Sequence, residues 1–185
     1  TLSHDDLLKH LNFLPDQPDA IPYNFLYYEK GWSFNIKHNS LDIFKENEYK
    51  VHIDVDKKPG ELKIAECFLP GEKEDEIVFS TYLCHPSMAN DNLSGVVTGV
   101  QLFKYISQIK NRKYSYRLLI MPETIGPITY LSNHEERIPS IVGGFVLYCC
   151  GTSGGLTYKK SYYGDSYIDQ IAEYVCKNYE KDYNV

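Results

Sequence analysis

From Ile77 onward the chain alternates two hydrophobic patterns, and that alternation constrains its fold more than any other feature. "IVFSTYL" (Ile77–Leu83), "YRLLIM" (Tyr116–Met121) and "IVGGFVLYCC" (Ile141–Cys150) are near-continuous apolar runs. Such runs belong to strands covered on both faces, as in a parallel sheet. After the first of them, Leu93, Val96, Val97, Val100, Phe103 and Ile106 recur at helical spacing. Pro127–Glu136 reads as a helix with proline in its first turn. Ile168, Ile171, Ala172, Val175 and Tyr179 mark a last amphipathic helix. Strand, helix, strand, helix, strand, helix predicts an α/β fold: a mostly parallel sheet flanked by helices.

Upstream of Ile77 the period is two. Trp32, Phe34 and Ile36 alternate in "WSFNIKH", and Tyr49, Val51, Ile53 and Val55 in "YKVHIDV". Leu62, Ile64, Glu66 and Phe68 alternate less cleanly in "LKIAECF". Alternation marks strands with one wet and one buried face, and Lys57-Lys58-Pro59-Gly60 supplies a turn between the last two. Residues 23–75 are therefore expected to form a small β-rich subdomain. Before it, "TLSHDDLL" starts a helix, with Ser3 at the N-cap, Asp6 at N3, and Leu2 with Leu7 as a hydrophobic staple. Pro15, Pro18 and Pro22 break it. The chain begins at Thr1 without Met and closes in "YEKDYNV", a helix running out into a strand, so it reads as an excerpt from a longer protein.

Parallel strands end on one sheet edge, and ligands bind outside those carboxyl ends. His85 and Asp91 follow the first apolar run in "CHPSMANDNLSG", Glu123 follows the second in "MPETIG", and Cys149 and Cys150 close the third. Imidazole, carboxylate and thiolate are the donors of a tetrahedral zinc site. Asp91 precedes a helix, where a carboxylate also caps backbone N–H groups, and its two oxygens can bridge two ions. A nearby Glu can take a proton from an activated water. Together these parts describe a hydrolase. Each also has a plain structural reading: Asp91 as a cap or turn residue, His85 as a loop residue, Glu123 as a solvated acid, the cysteines as packing residues.

Composition narrows the partners. With 25 acidic against 19 basic residues and a net charge of −6, no Lys/Arg cluster offers nucleic acid an electrostatic footprint. No apolar run is long enough to span a bilayer and no signal peptide is evident, so no membrane partner is expected. Five cysteines, an odd count in no disulfide spacing, read as reduced thiols of a soluble cytoplasmic protein. The 17 tyrosines, several in "YNFLYY" and "KKSYYGDSY", suit half-buried β and rim positions. Oligomeric state is not legible in the sequence.

"HPSMANDNLSG" resembles the metal-binding stretch of the zinc aminopeptidase superfamily, which also includes glutaminyl cyclases and the transferrin-receptor ectodomain. Those proteins carry a His after one strand, an Asp in a "DN-x-SG" turn opening a helix, and a Glu pair after the next strand. More closely, the chain is similar to a bacterial aminopeptidase-like family whose members are often labelled polysaccharide-biosynthesis proteins. "LPDQPDAIPY", "ECFLPGE", "CHPSMANDNLSG", "PETIGPITYLS" and "TYKKS" carry that likeness over essentially the whole chain. The resemblance implies a zinc-aminopeptidase-like lobe built from residues 1–22 and a C-terminally incomplete 76–185, with 23–75 as an insert. It implies His85 as a zinc ligand, Asp91 as the ligand bridging two zincs in two-metal relatives, and Glu123 as general base. The chain departs from the superfamily pattern at Thr124, where a ligand carboxylate is usual, and at "LYCCGTSG", which has no Asp. The last His ligand would lie beyond Val185. One zinc, or a site completed by residues outside this stretch, fits those departures better than two.

The leading expectation is zinc-dependent hydrolysis of an amide bond in a peptide or small amide-containing substrate. The alternative is a non-catalytic relative that binds a peptide or glycan precursor or scaffolds an assembly, motivated by Thr124 and "LYCCG". The family's usual label adds amide or acyl chemistry on a surface sugar as a third reading.

Overall fold

The computed structural model describes residues 1–24, 26, 30–56, 58–85, 88–179 and 183–185. Phe25, Tyr27 and Tyr28 of "YNFLYY", Lys57 of the expected turn, Pro86 and Ser87 of the first strand-end loop, and residues 180–182 lie outside them. The chain forms two compact units, Thr1–Pro59 and Gly60–Val185.

The first unit contains β1 (Leu2–Ser3), α1 (His4–Leu8), β2 (Leu11–Asn12), β3 (Phe34–Asn35) and β4 (Glu48–Tyr49). The expected cap forms: the Asp6 N–H donates to Ser3 Oγ at 3.2 Å, and that hydroxyl donates to Asp6 Oδ2 at 2.9 Å. Leu7 and Leu11 are buried. β1 pairs antiparallel with β4, and β2 parallel with β3. The strands read from alternation are much shorter than expected. "WSFNIKH" contributes only Phe34 and Asn35, and "YKVHIDV" only Tyr49, while Ile53 and Val55 are exposed. Alternation becomes a strand only where a partner's backbone meets it, and residues 51–56 pair with no strand among the described residues.

The second unit runs β5 (Ala65–Leu69), β6 (Glu76–Tyr82), α2 (Gly95–Ser107), β7 (Ser115–Met121), α3 (Ile125–Asn133), β8 (Ile141–Val146), β9 (Leu156–Thr157), α4 (Tyr167–Tyr179) and β10 (Tyr183–Asn184). Its main sheet has the order β5–β7–β6–β8. β7 and β8 each run parallel to β6, whereas β5 lies antiparallel beside β7, so the architecture is a mixed α/β one. The strand read at "LKIAECF" is the antiparallel member of this sheet.

Period-two geometry distributes β7 over two cores. Leu118, with half-buried Tyr116 and Ile120, packs with Phe103 and Ile106 of α2 and with Phe79. Leu119 and Met121 pack with Tyr130 of α3 and with Val78. β7 is thus covered on both faces, as its apolar run predicts. β8 is not: half-buried and exposed positions alternate along it, and Val142 and Val146 are exposed. The one charge in "YRLLIM" is neutralised in place. Arg117 is buried and donates to both oxygens of Glu76 at 2.6 Å, with Glu66 as a further partner. α2 begins two residues later than its apolar pattern suggests and buries Gly95, Gly99, Phe103 and Ile106, leaving Leu93, Val97 and Val100 exposed. Among the described residues no helix is long and apolar enough to cross a membrane.

Candidate active site

β6, β7 and β8 end side by side, with Tyr82 opposite Met121 and Ser80 opposite Val146. Pairing continues one residue further, through Leu83 N–H to Met121 O at 3.1 Å and Leu147 N–H to Ser80 O at 2.8 Å. The loops leaving this edge carry the residues singled out in the sequence. His85 Nε2 lies 3.4 Å from Glu123 Oε2 and 4.0 Å from Asp91 Oδ2. The imidazole is 14 % exposed, whereas the Asp91 and Glu123 side chains are 40 % and 46 % exposed, so the carboxylates face the solvent side of a mostly covered ring.

Asp91 lies in an irregular turn, Ala89–Ser94, with φ −112° and ψ 83°, and its peptide bond to Asn92 is cis. It does not cap α2, whose N-cap position belongs to Ser94. Its Oδ1 instead accepts from the Tyr82 hydroxyl at 2.6 Å. Burial, and then that hydrogen bond, push the Tyr82 phenol well above its ordinary value, so it remains a donor.

The turn is held by its neighbour. Asn92 is buried, and its Nδ2 donates to Thr81 Oγ1 (3.0 Å), Tyr82 O (3.2 Å) and Leu147 O (3.2 Å). Its Oδ1 accepts from Cys149 N–H at 3.0 Å. One amide therefore ties the ends of β6 and β8 to the residue beside Asp91. Gly95 is required here: a Cβ would stand 2.4 Å from Leu147 O and 2.6 Å from Asn92 Oδ1.

Two non-glycine residues at this edge occupy left-handed backbone, Thr124 (φ 60°) and Cys149 (φ 51°). Each such residue costs about 1–3 kcal/mol and concentrates at functional sites. Thr124 directly follows Glu123. Burial, with the Asp91 carboxylate beside it, pushes the Cys149 thiol up. Cys150 is exposed and its Sγ donates to Tyr148 O at 3.6 Å.

Sequence reasoning missed Tyr82, Asn92 and Cys84. Cys84 Sγ accepts from Glu123 N–H at 3.4 Å and lies 4.0 Å from His85 Nδ1. Cys84, His85 and Glu123 each offer one ligand atom within 4.8 Å of the others. A tyrosine and a cysteine inside an apolar run carry no periodic signal of their own, and a buried amide is not legible from its polarity.

The donors fit a zinc ion chemically. Ligands sharing a tetrahedral zinc at roughly 2.0–2.1 Å stand about 3.3–3.4 Å apart, within a small side-chain movement of the His85–Asp91 separation.

Residues 15–185 match the profile of a family described as "Domain of unknown function (DUF4910)". A Clostridium acetobutylicum protein named "Putative polysaccharide biosynthesis protein with aminopeptidase-like domain" is 42 % identical over all 185 residues. A crystal structure described as that of a "putative peptidase" from the same organism superimposes with a TM-score of 0.84 at 41 % identity over the full chain. The chain spans 42 % of the length of that curated relative and 43 % of that solved chain.

Proposed function

The chain belongs to the DUF4910 family, and on that premise we propose a zinc-dependent, aminopeptidase-like hydrolysis of amide bonds as its activity. The observation carrying this reading is the approach of His85 Nε2 to two carboxylates from two loops at the carboxyl end of the sheet. His85 and Asp91 are the residues that would hold the ion. A bound zinc supplies Lewis acidity toward the scissile carbonyl and acidifies a water. Glu123 accepts the proton of the attacking water on its carboxylate and returns it to the leaving amine. Tyr82 occupies Asp91 Oδ1, which leaves Oδ2 as the oxygen nearer His85. Thr124 and residues 147–154 offer no further carboxylate, which favours one ion over two.

The name of the curated relative extends the proposal to polysaccharide biosynthesis, and a peptide or a small amide-bearing molecule is the proposed substrate. The test is zinc content by plasma mass spectrometry, beside turnover of aminoacyl anilides and acetylated aminosugars. About one zinc per chain is expected, lost in both His85→Ala and Asp91→Ala. Glu123→Gln should lower kcat by roughly 10²–10⁴-fold while retaining zinc. A zinc-free wild type after reconstitution would overturn the reading and leave a non-catalytic binding protein.

A further inference from the structure

We propose that Tyr82 is a positioning residue: its hydroxyl holds Asp91 so that the carboxylate meets an ion through Oδ2 alone. The inference rests on the metal-site reading above and deepens it. A carboxylate offers two oxygens, and it binds metals through one of them or through both. Which mode it adopts depends on what else the oxygens touch. Groups that hydrogen-bond a ligating carboxylate orient it, and they matter to the site nearly as much as the ligand itself.

The two Asp91 oxygens have different surroundings. Oδ1 accepts from the Tyr82 hydroxyl at 2.6 Å, within the short range of a bond between a hydroxyl and a charged oxygen. Oδ2 lies 4.0 Å from His85 Nε2. Tyr82 is the last residue of β6 and is paired with Met121 of the neighbouring strand. The hydroxyl therefore reaches Asp91 from the sheet, which fixes a side chain more closely than a loop does. The same ring meets the His85 imidazole edge-on, with centroids 5.6 Å apart and an interplanar angle of 75°. Its centroid lies 6.4 Å from that of Tyr148, at 30°. One side chain thus contacts both residues proposed to hold the ion. The turn that carries Asp91 already has its own tie through the Asn92 amide. The Tyr82 bond acts on the carboxylate itself.

Tyr82→Phe removes the hydroxyl and keeps the ring. Infrared difference spectra of the full chain, zinc-loaded minus zinc-free, read the binding mode directly. The gap between the two carboxylate stretching bands is wide when one oxygen binds and narrow when both do. Carbon-13 labelling of the aspartate carboxyl groups identifies the bands. A wide gap is expected in wild type and a narrow one in Tyr82→Phe. A narrow gap in wild type, or the same gap in both proteins, would overturn the role.

Zinc affinity by chelator competition is the second readout. Tyr82→Phe should weaken it about 10–100-fold, and Tyr82→Leu, which also takes the ring edge from His85, should weaken it further. Equal affinities in wild type and Tyr82→Phe would count against the proposal. Circular dichroism of the zinc-free proteins checks that the variants fold; the wild-type gap can overturn the role without them. Zinc bound in an unchanged mode would sink the role of Tyr82 alone, whereas zinc bound by none of the proteins would sink the metal reading and this role with it.

Discussion

At the residue scale, the most heavily bonded side chain of the second unit lies away from the candidate site. Asp169, fully buried, accepts from Tyr158 Oη (2.8 Å), the Ser161 N–H (2.8 Å) and Oγ (2.6 Å), and the Ser166 N–H (2.9 Å) and Oγ (2.6 Å). The Ser161 hydroxyl, then Ser166, hold its carboxyl well below the usual carboxylate range, and burial with the Asp169 bond pushes the Tyr158 phenol up to about 12. A depressed carboxyl contributes stability that is present above its unfolded value, about 3.9, and is lost as pH falls through its folded value. Asp169→Asn should therefore melt at lower temperature than wild type at pH 7. The gap should narrow as pH falls below about 4. Melts followed by circular dichroism across that range check it, and a gap independent of pH would mean that the charge is not what stabilises the loop. In the sequence, Asp169 is one polar residue in an amphipathic helix, and nothing in the spacing separates it from a solvated acid.

At the element scale, the edge of the sheet depends on the close approach of α2 to the end of β8. Asn92→Ala would strip Leu147 O and Cys149 N–H of a buried partner, and a loss of about 1–3 kcal/mol is expected in urea unfolding. Gly95→Ala would drive a Cβ against Leu147 O, at a cost of about 1–3 kcal/mol. Both changes act on the same carbonyl, so the double variant should fall short of the sum. Strict additivity would mean that the amide and the glycine stabilise separate structures. The central strands of this unit were legible within one residue, Ile77–Leu83 against Glu76–Tyr82 and Tyr116–Met121 against Ser115–Met121, whereas the run Ile141–Cys150 extends four residues past the end of β8 at Val146. Apolar runs announce them because both faces of the central strand are covered. The period-two stretches of the first unit failed as strand predictors because pairing there depends on partners that the local pattern does not specify.

At the scale of the whole molecule, zinc binding and folding should be linked. A ligand held only by the native state at a hundred times its Kd adds about 2.7 kcal/mol. On the proposed reading, zinc raises the unfolding free energy by about that amount, a chelator removes the gain, and His85→Ala is insensitive to both. Calorimetry with and without zinc measures this, and equal stabilisation of His85→Ala would place the ion elsewhere. The chain covers 42 % of the curated relative and 43 % of the solved chain.

By itself the sequence determined the α/β character of the second unit, the boundaries of its central strands and the carboxyl-end placement of His85, Asp91 and Glu123. These follow from hydrophobic period and chain order, which are local quantities. Tertiary structure alone decided the rest. The antiparallel pairing of β5 and the partial, one-sided cover of β8 depend on which strand lies beside which. The buried Asn92 tie to Leu147 and Cys149 and the bond from the Glu123 N–H to Cys84 Sγ depend on distances of 3.0–3.4 Å between residues from different strand ends. No period in a sequence encodes those separations, because they are set by the pairing of β6 with β7 and β8.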